Sequence, residues 1–154
     1  MLYYQTIDSS TLELLKQLQG QPAFKNLRLV GGTSLALQII VNYIYPWLFQ
    51  PISSNDLVLA SLEDIAAMKL SAITGRGTRK DFIDMFFLLK HFSLQQMLVF
   101  YQQKYSDGNE FIVLKSLVYF EDAEQDEFPV MLITHNWEAI KLEIKTVVNN
   151  FLQS

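Results

Sequence analysis

The sequence predicts an α+β domain, with a small sheet in about residues 1–60 followed by a helical bundle in about residues 61–154. Three observations predict it. Two short stretches of the first part read as strands, the brief "NLRLV" and "VNYIYPWLFQPI", the latter rich in β-branched and aromatic residues. Capped stretches with helical apolar spacing fill most of the second part. A length of 154 residues, 50% of them hydrophobic, suits one domain with a real core and is too short for two comfortable ones.

In chain order, Ser10 and Glu13 form a capping box, and Leu12, Leu14, Leu15 and Leu18 supply an apolar stripe. They predict a first helix stopped by Gly20 and Pro22. "NLRLV" predicts a brief strand into Gly31 and Gly32, with a helix starting at Thr33 or Ser34. "VNYIYPWLFQPI" predicts a second strand ending by Pro51. Ser61 caps "LEDIAAMKLSAI", where Glu63 and Asp64 suit the positive end of a helix. "GRGT" breaks that helix. "RKDFIDMFFLLKHF" follows, with Phe82, Met85, Phe86 and Leu89 on one face. Ser93 and Gln96 make a capping box before "LQQMLVFYQQKY". "NEFIVLKSLVYF" reads as a helix, "EDAEQDEFP" as an acidic loop and "NWEAIKLEIKTVVNNFL" as a closing helix. No internal repeat or low-complexity linker interrupts this order.

Composition removes several function classes. A formal charge of −4 argues against broad, non-specific nucleic-acid binding, which needs many phosphate contacts. With no cysteine, disulfide scaffolds, zinc–thiolate sites and cysteine nucleophiles are excluded. The longest apolar tract, Leu35 to Phe49, is broken by Gln38, Asn42 and Pro46 and is too short to span a bilayer. "MLYYQTIDSS" lacks the basic and apolar regions of a secretory signal, so the expectation is a cytoplasmic protein with no membrane partner.

Two stretches carry candidate chemistry. Gly31 and Gly32 let the backbone approach a ligand, and the helix start at Thr33 and Ser34 offers free N–H groups to an anion. The same residues also suit an ordinary strand-to-helix turn. Lys69 sits among Met68, Leu70 and Ile73, where its ammonium can reach either a phosphate or water. Arg76, Arg79 and Lys80 cluster nearby. Asp81 and Asp84 lie three apart on one helix face, which favours a surface salt bridge with those cations. Together they could also supply cations for phosphates and a carboxylate base. His91 and His135 lie too far apart in sequence to suggest a metal site.

"LVGGTSLALQI", then "ASLEDIAAMKLSAITGRGTRKDFIDMFFLL", then "YFEDAE" and a late Trp137 resemble the AbiEii-type toxin family of nucleotidyltransferases, in the same order over nearly all of the chain. The resemblance implies a reduced nucleotidyltransferase-like sheet followed by helices. It implies that Gly31, Gly32, Thr33 and Ser34 cradle nucleotide phosphates and that Lys69 contacts the nucleotide. Asp81 would assist catalysis. Family members use magnesium and a nucleoside triphosphate, transfer a nucleotide to an acceptor that is often an RNA, and usually pair with an antitoxin.

The sequence departs from that pattern at one place. The family expects a magnesium-binding Asp-x-Asp roughly a dozen residues after the glycines. Here no acidic residue lies between Glu13 and Asp56, and the seam falls near Ile39 to Val41. A magnesium site needs carboxylate oxygens at octahedral geometry, which serine or backbone groups cannot replace alone. Asp122 and Glu124 have the right separation but sit far along the chain. The expectation is therefore a degenerate family member with no metal site and no cofactor, holding nucleotide or phosphate only weakly. Competing readings are a protein-interaction module and an active enzyme with relocated metal ligands. Ile39, Ile40, Val41, Ile44, Trp47, Leu48 and Phe49 would be left uncovered by a lost segment, which predicts a homodimer through residues 39–50.

Overall fold

The computed structural model describes residues 9–22, 45–54, 57–129 and 135–154. Helix α1 (Ser9–Gln19) precedes a hairpin of β1 (Ile52–Ser54) and β2 (Leu57–Leu59). The helices α2 (Leu62–Gly75), α3 (Arg79–Leu88), α4 (Leu94–Lys104), α5 (Glu110–Leu117), α6 (Glu121–Glu124) and α7 (Trp137–Gln153) follow. The described residues thus form an α+β fold: one antiparallel two-stranded sheet, with Ile52 opposite Leu59 and Ser54 opposite Leu57, and then a helical bundle.

Local chemistry explains most helix starts. The Ser61 hydroxyl accepts from the Asp64 N–H at 3.0 Å, and Ser93 and Gln96 satisfy each other's backbone N–H groups reciprocally. The side-chain oxygens of Asn109 and Asn136 accept from first-turn N–H groups of α5 and α7. Helix α2 packs against α3, α4 and α5, while α7 closes over α3, α4 and α5. The bundle core includes Leu70, Phe82, Met85, Met97, Leu117, Ile140 and Ile144, all at most 1% exposed. Of the predicted α3 face, Phe82, Met85 and Phe86 are buried and Leu89 is half-buried.

A second, smaller cluster joins Leu12 and Leu15 of α1 to Leu57 and Leu59 of β2. Gln19 locks that contact with its side-chain amide. Its Nε2 donates to the Val58 carbonyl at 3.1 Å, and its Oε1 accepts from the Val58 N–H at 2.9 Å. The amide serves the backbone of β2 as a neighbouring strand would.

The strand expected at "NLRLV", the turn expected at Gly31–Ser34, the helix start expected beside it and residues 39–44 lie outside the described residues. Other expectations change. The second predicted strand is not one across residues 45–51; extended pairing begins only at Ile52. Pro46 and Pro51 have no N–H to give a ladder. The N–H groups of Leu48 and Phe49 donate to the Asp64 carboxylate instead, at 3.0 and 3.2 Å. "EDAE", expected as loop, is the single helical turn α6. The first helix already includes Ser9, ahead of the predicted cap at Ser10. Among the described residues, no helix is long and apolar enough to cross a membrane.

Candidate functional site

The turn between α2 and α3 brings the predicted charges together. The N–H groups of Arg76 and Gly77 both donate to the Ala72 carbonyl, closing α2. Gly77 then takes φ +51°, a left-handed conformation that glycine adopts without steric cost. The chain reverses there, and Thr78 starts α3 back along α2. Lys69 of α2 consequently faces Asp81 and Asp84 of α3.

The resulting cluster is tightly bonded. Lys69 Nζ lies 3.1 Å from Asp81 Oδ1 and 2.6 Å from Asp84 Oδ2. Arg76 grips Asp81 with both arms of its fork, Nε to Oδ2 at 2.9 Å and Nη2 to Oδ1 at 3.1 Å. Thr78 adds its hydroxyl at 2.6 Å and its N–H at 3.3 Å to Oδ2. Asp81 therefore accepts five hydrogen bonds while its side chain is only 1% exposed. The pair expected on the surface is buried.

Electrostatics follow from that geometry. Burial alone would raise the Asp81 pKa, but the bonds from Arg76, Thr78 and Lys69 outweigh it and hold the carboxyl down at about 2. Burial would likewise lower the Lys69 pKa. Asp84 and Asp81 reverse that, and the net shift is upward. Arg76 is raised chiefly by its bond to Asp81. Two cations and two carboxylates thus neutralise one another. A carboxylate this stabilised in its charged form has little tendency to take a proton near neutral pH. The donor set does not fit a magnesium ion, because both aspartates bracket the Lys69 ammonium. Among the described residues no group of three His, Asp or Glu converges to hold a metal.

The other predicted residues are dispersed. Arg79 does not join Arg76. Its Nε and Nη2 donate to the carbonyls of Ala123 and Glu124, at 3.0 and 2.9 Å. Its guanidinium lies 5.1 Å from the Trp137 ring and 5.4 Å from that of Phe128. Arg79 is a fastener for α6. Lys80 is exposed. Glu124 accepts from the Trp137 indole N–H at 3.0 Å and is paired with Lys141 and Arg79, while Asp122 is exposed. His91 is exposed beyond α3, and His135 packs against the rings of Phe86 and Phe87.

Sequence reasoning missed one ionic centre. Lys104 Nζ meets Asp64 Oδ1 at 2.6 Å with both side chains 0% exposed. Asp64 had an adequate local explanation at the N-terminus of α2, and its partner lies 40 residues away.

A family model described as "Nucleotidyl transferase AbiEii toxin, Type IV TA system" matches residues 41–151. The chain belongs to the AbiEii family. The matched span contains the whole Lys69–Arg76–Thr78–Asp81–Asp84 cluster and leaves out residues 31–34. An uncharacterized protein of Aquifex aeolicus (strain VF5) is 39% identical over 116 residues, which cover 73% of this chain and 55% of that relative. The chain thus spans about half the length of the curated relative it matches. No solved structure matches the chain.

Proposed function

We propose that this AbiEii family chain is a degenerate nucleotidyltransferase-like protein that binds without transferring. One observation carries the reading: from Leu14 to Asn55 the sequence holds no carboxylate, where the family resemblance expects the magnesium-binding pair. The state of Asp81 supports it. The residue expected to assist catalysis is held charged by five hydrogen bonds and is a weak base. Lys69 and the Gly31–Ser34 turn remain the proposed anion contacts. Since Lys69 already bridges two aspartates, a phosphate must compete for it. Binding should be millimolar-class, worth about 4 kcal/mol.

Incubation with labelled nucleoside triphosphates, magnesium and pooled RNA should give no transfer above blank. Phosphate should produce weak, saturable NMR shifts that vanish in Lys69→Ala. Robust transfer dependent on Asp84 or Asp122 would overturn the loss of catalysis. Shifts unchanged in Lys69→Ala would leave that lysine a structural role alone. The family description names a toxin–antitoxin system, so an antitoxin is the proposed macromolecular partner and the cytoplasm the proposed location.

A second reading, self-association through residues 39–50, draws support from Phe49, which is 43% exposed, and from the adjoining Ile52 at 48%. Tyr45, Trp47 and Leu48 are half-buried, so only part of the stretch offers surface. Light scattering should report a dimer at high concentration; a well-behaved monomer would dispose of this reading.

A further inference from the structure

Residues 45–51 run over the helical bundle as a strap. The buried Asp64–Lys104 pair grips that strap from both of its charges. Lys104 Nζ donates to the Pro46 carbonyl at 2.8 Å. Asp64 accepts from the backbone N–H groups of Leu48 and Phe49, and from the Ser61 hydroxyl at 2.9 Å. The Trp47 ring lies 4.7 Å from the Lys104 ammonium. Two ring contacts complete the seat, Tyr45 on Tyr105 at 4.6 Å and Phe49 on Phe100 at 6.0 Å.

A buried ion pair is stable only when its remaining lone pairs and protons are also bonded. Here the strap supplies three of those partners: the Pro46 carbonyl and the N–H groups of Leu48 and Phe49. The dependence runs both ways. Without the pair, the strap loses its polar anchors, and two main-chain donors lose their acceptor. Without the strap, the pair loses those three partners and part of its aromatic cover. Closed, every group is satisfied; open, every group is hydrated. Partial states leave buried polar atoms unbonded, so the strap has two arrangements rather than a continuum.

The geometry points to residues 45–51 forming a strap that opens as a unit when the Asp64–Lys104 pair breaks, uncovering Tyr105 and Phe100 while the bundle stays folded. The bundle keeps its own contacts in that state, since α2 packs directly on α4, α3 and α5, and α7 on α3, α4 and α5. Because Asp64 and Lys69 share α2, the clamp also fixes the strap to the helix that carries the candidate site. Opening does not depend on whether the chain transfers nucleotides.

Native-state hydrogen exchange on the full chain, followed by NMR in increasing sub-denaturing urea, tests the inference. In the wild type, the Leu48 and Phe49 amides should exchange through an opening with weaker urea dependence than the Ile140 and Ile144 amides. In Lys104→Met, exchange at Leu48 and Phe49 should accelerate at least about tenfold. Ile140 and Ile144 should accelerate by the same factor, because global unfolding also releases the strap, and the weaker urea dependence at Leu48 and Phe49 should persist. Exchange of Leu48 and Phe49 only through global unfolding in the wild type would overturn the strap. So would unchanged protection of Leu48 and Phe49 in Lys104→Met, or acceleration at Ile140 and Ile144 that leaves Leu48 and Phe49 unmoved. If that variant does not fold, the wild-type comparison decides alone.

Discussion

Phe82→Ala is expected to lower the free energy of unfolding by about 3–5 kcal/mol. Phe82 is 0% exposed and lies where α3, α6 and α7 meet. Its ring centroid is 4.6 Å from that of Phe120 and 6.2 Å from that of Trp137, and those two rings stand 6.0 Å apart. Truncation breaks two of the three ring contacts, each worth roughly 0.5–1.5 kcal/mol beyond buried area. The remaining rings are held by other bonds, the Trp137 indole by Glu124, so they cannot collapse freely into the space. The ring also underlies Gly77, where an added Cβ would stand 3.7 Å from Phe82 Cε2, so the turn that assembles the candidate site rests on it. In calorimetry the melting temperature should fall by on the order of 10 °C. Phe111→Ala, at a side chain 73% exposed, should stay within about 0.5 kcal/mol of wild type. A loss below about 1.5 kcal/mol for Phe82→Ala would mean that the core repacks around the missing ring.

The longer helices of the bundle were legible in the sequence because their signals are local, whereas the single turn α6 was not. Ser61, the Ser93–Gln96 box and the apolar spacing of α7 each act within a few residues, and each element formed where it was expected. The hairpin was not legible. Its strands are three residues long, too short for alternation to register, and a richer aromatic stretch beside it gave a stronger strand signal. Across residues 45–51 that stretch is not a strand, for a local reason in its prolines and a non-local one, since Asp64 captures the N–H groups of Leu48 and Phe49 that a ladder would need. The candidate site divides the same way. Nearness along the chain was enough to suggest that Lys69, Arg76 and Asp81 could form one site. Their burial was not visible, because aspartates spaced three apart look alike on a surface and in a core. Arg79 stands three residues from Arg76 yet serves α6, through carbonyls 44 and 45 residues away.

Asp81→Asn is expected to cost about 2–3 kcal/mol at neutral pH, and most of that difference should vanish in acid. The variant keeps the shape of the side chain and removes its charge. Arg76, Lys69 and Thr78 then lose a charged acceptor that is itself buried, although Arg76 is half exposed, and the Lys69 ammonium faces one carboxylate, Asp84, where it had two. The sign of the pH effect follows from the direction of the shift. The folded-state pKa of about 2 lies below the unfolded value near 3.8, so the carboxylate's contribution is fully present above the unfolded value. It is lost as pH falls through about 4 toward 2, and amounts to about 2 kcal/mol for a shift of this size. Urea unfolding of the wild type and Asp81→Asn in parallel cancels the other acidic groups. The gap between them should be full at pH 7 and clearly smaller near about pH 3. A gap of equal size at both would show that lost packing or lost shape, not the ionised carboxylate, is what the variant suffers. The same measurement bears on chemistry. A general base works best with a pKa near the working pH, whereas a carboxylate that stabilises the fold by staying charged down to about 2 is matched to binding cations. At Asp81 stability and proton transfer pull in opposite directions, and the bonds from Arg76, Thr78 and Lys69 decide for stability.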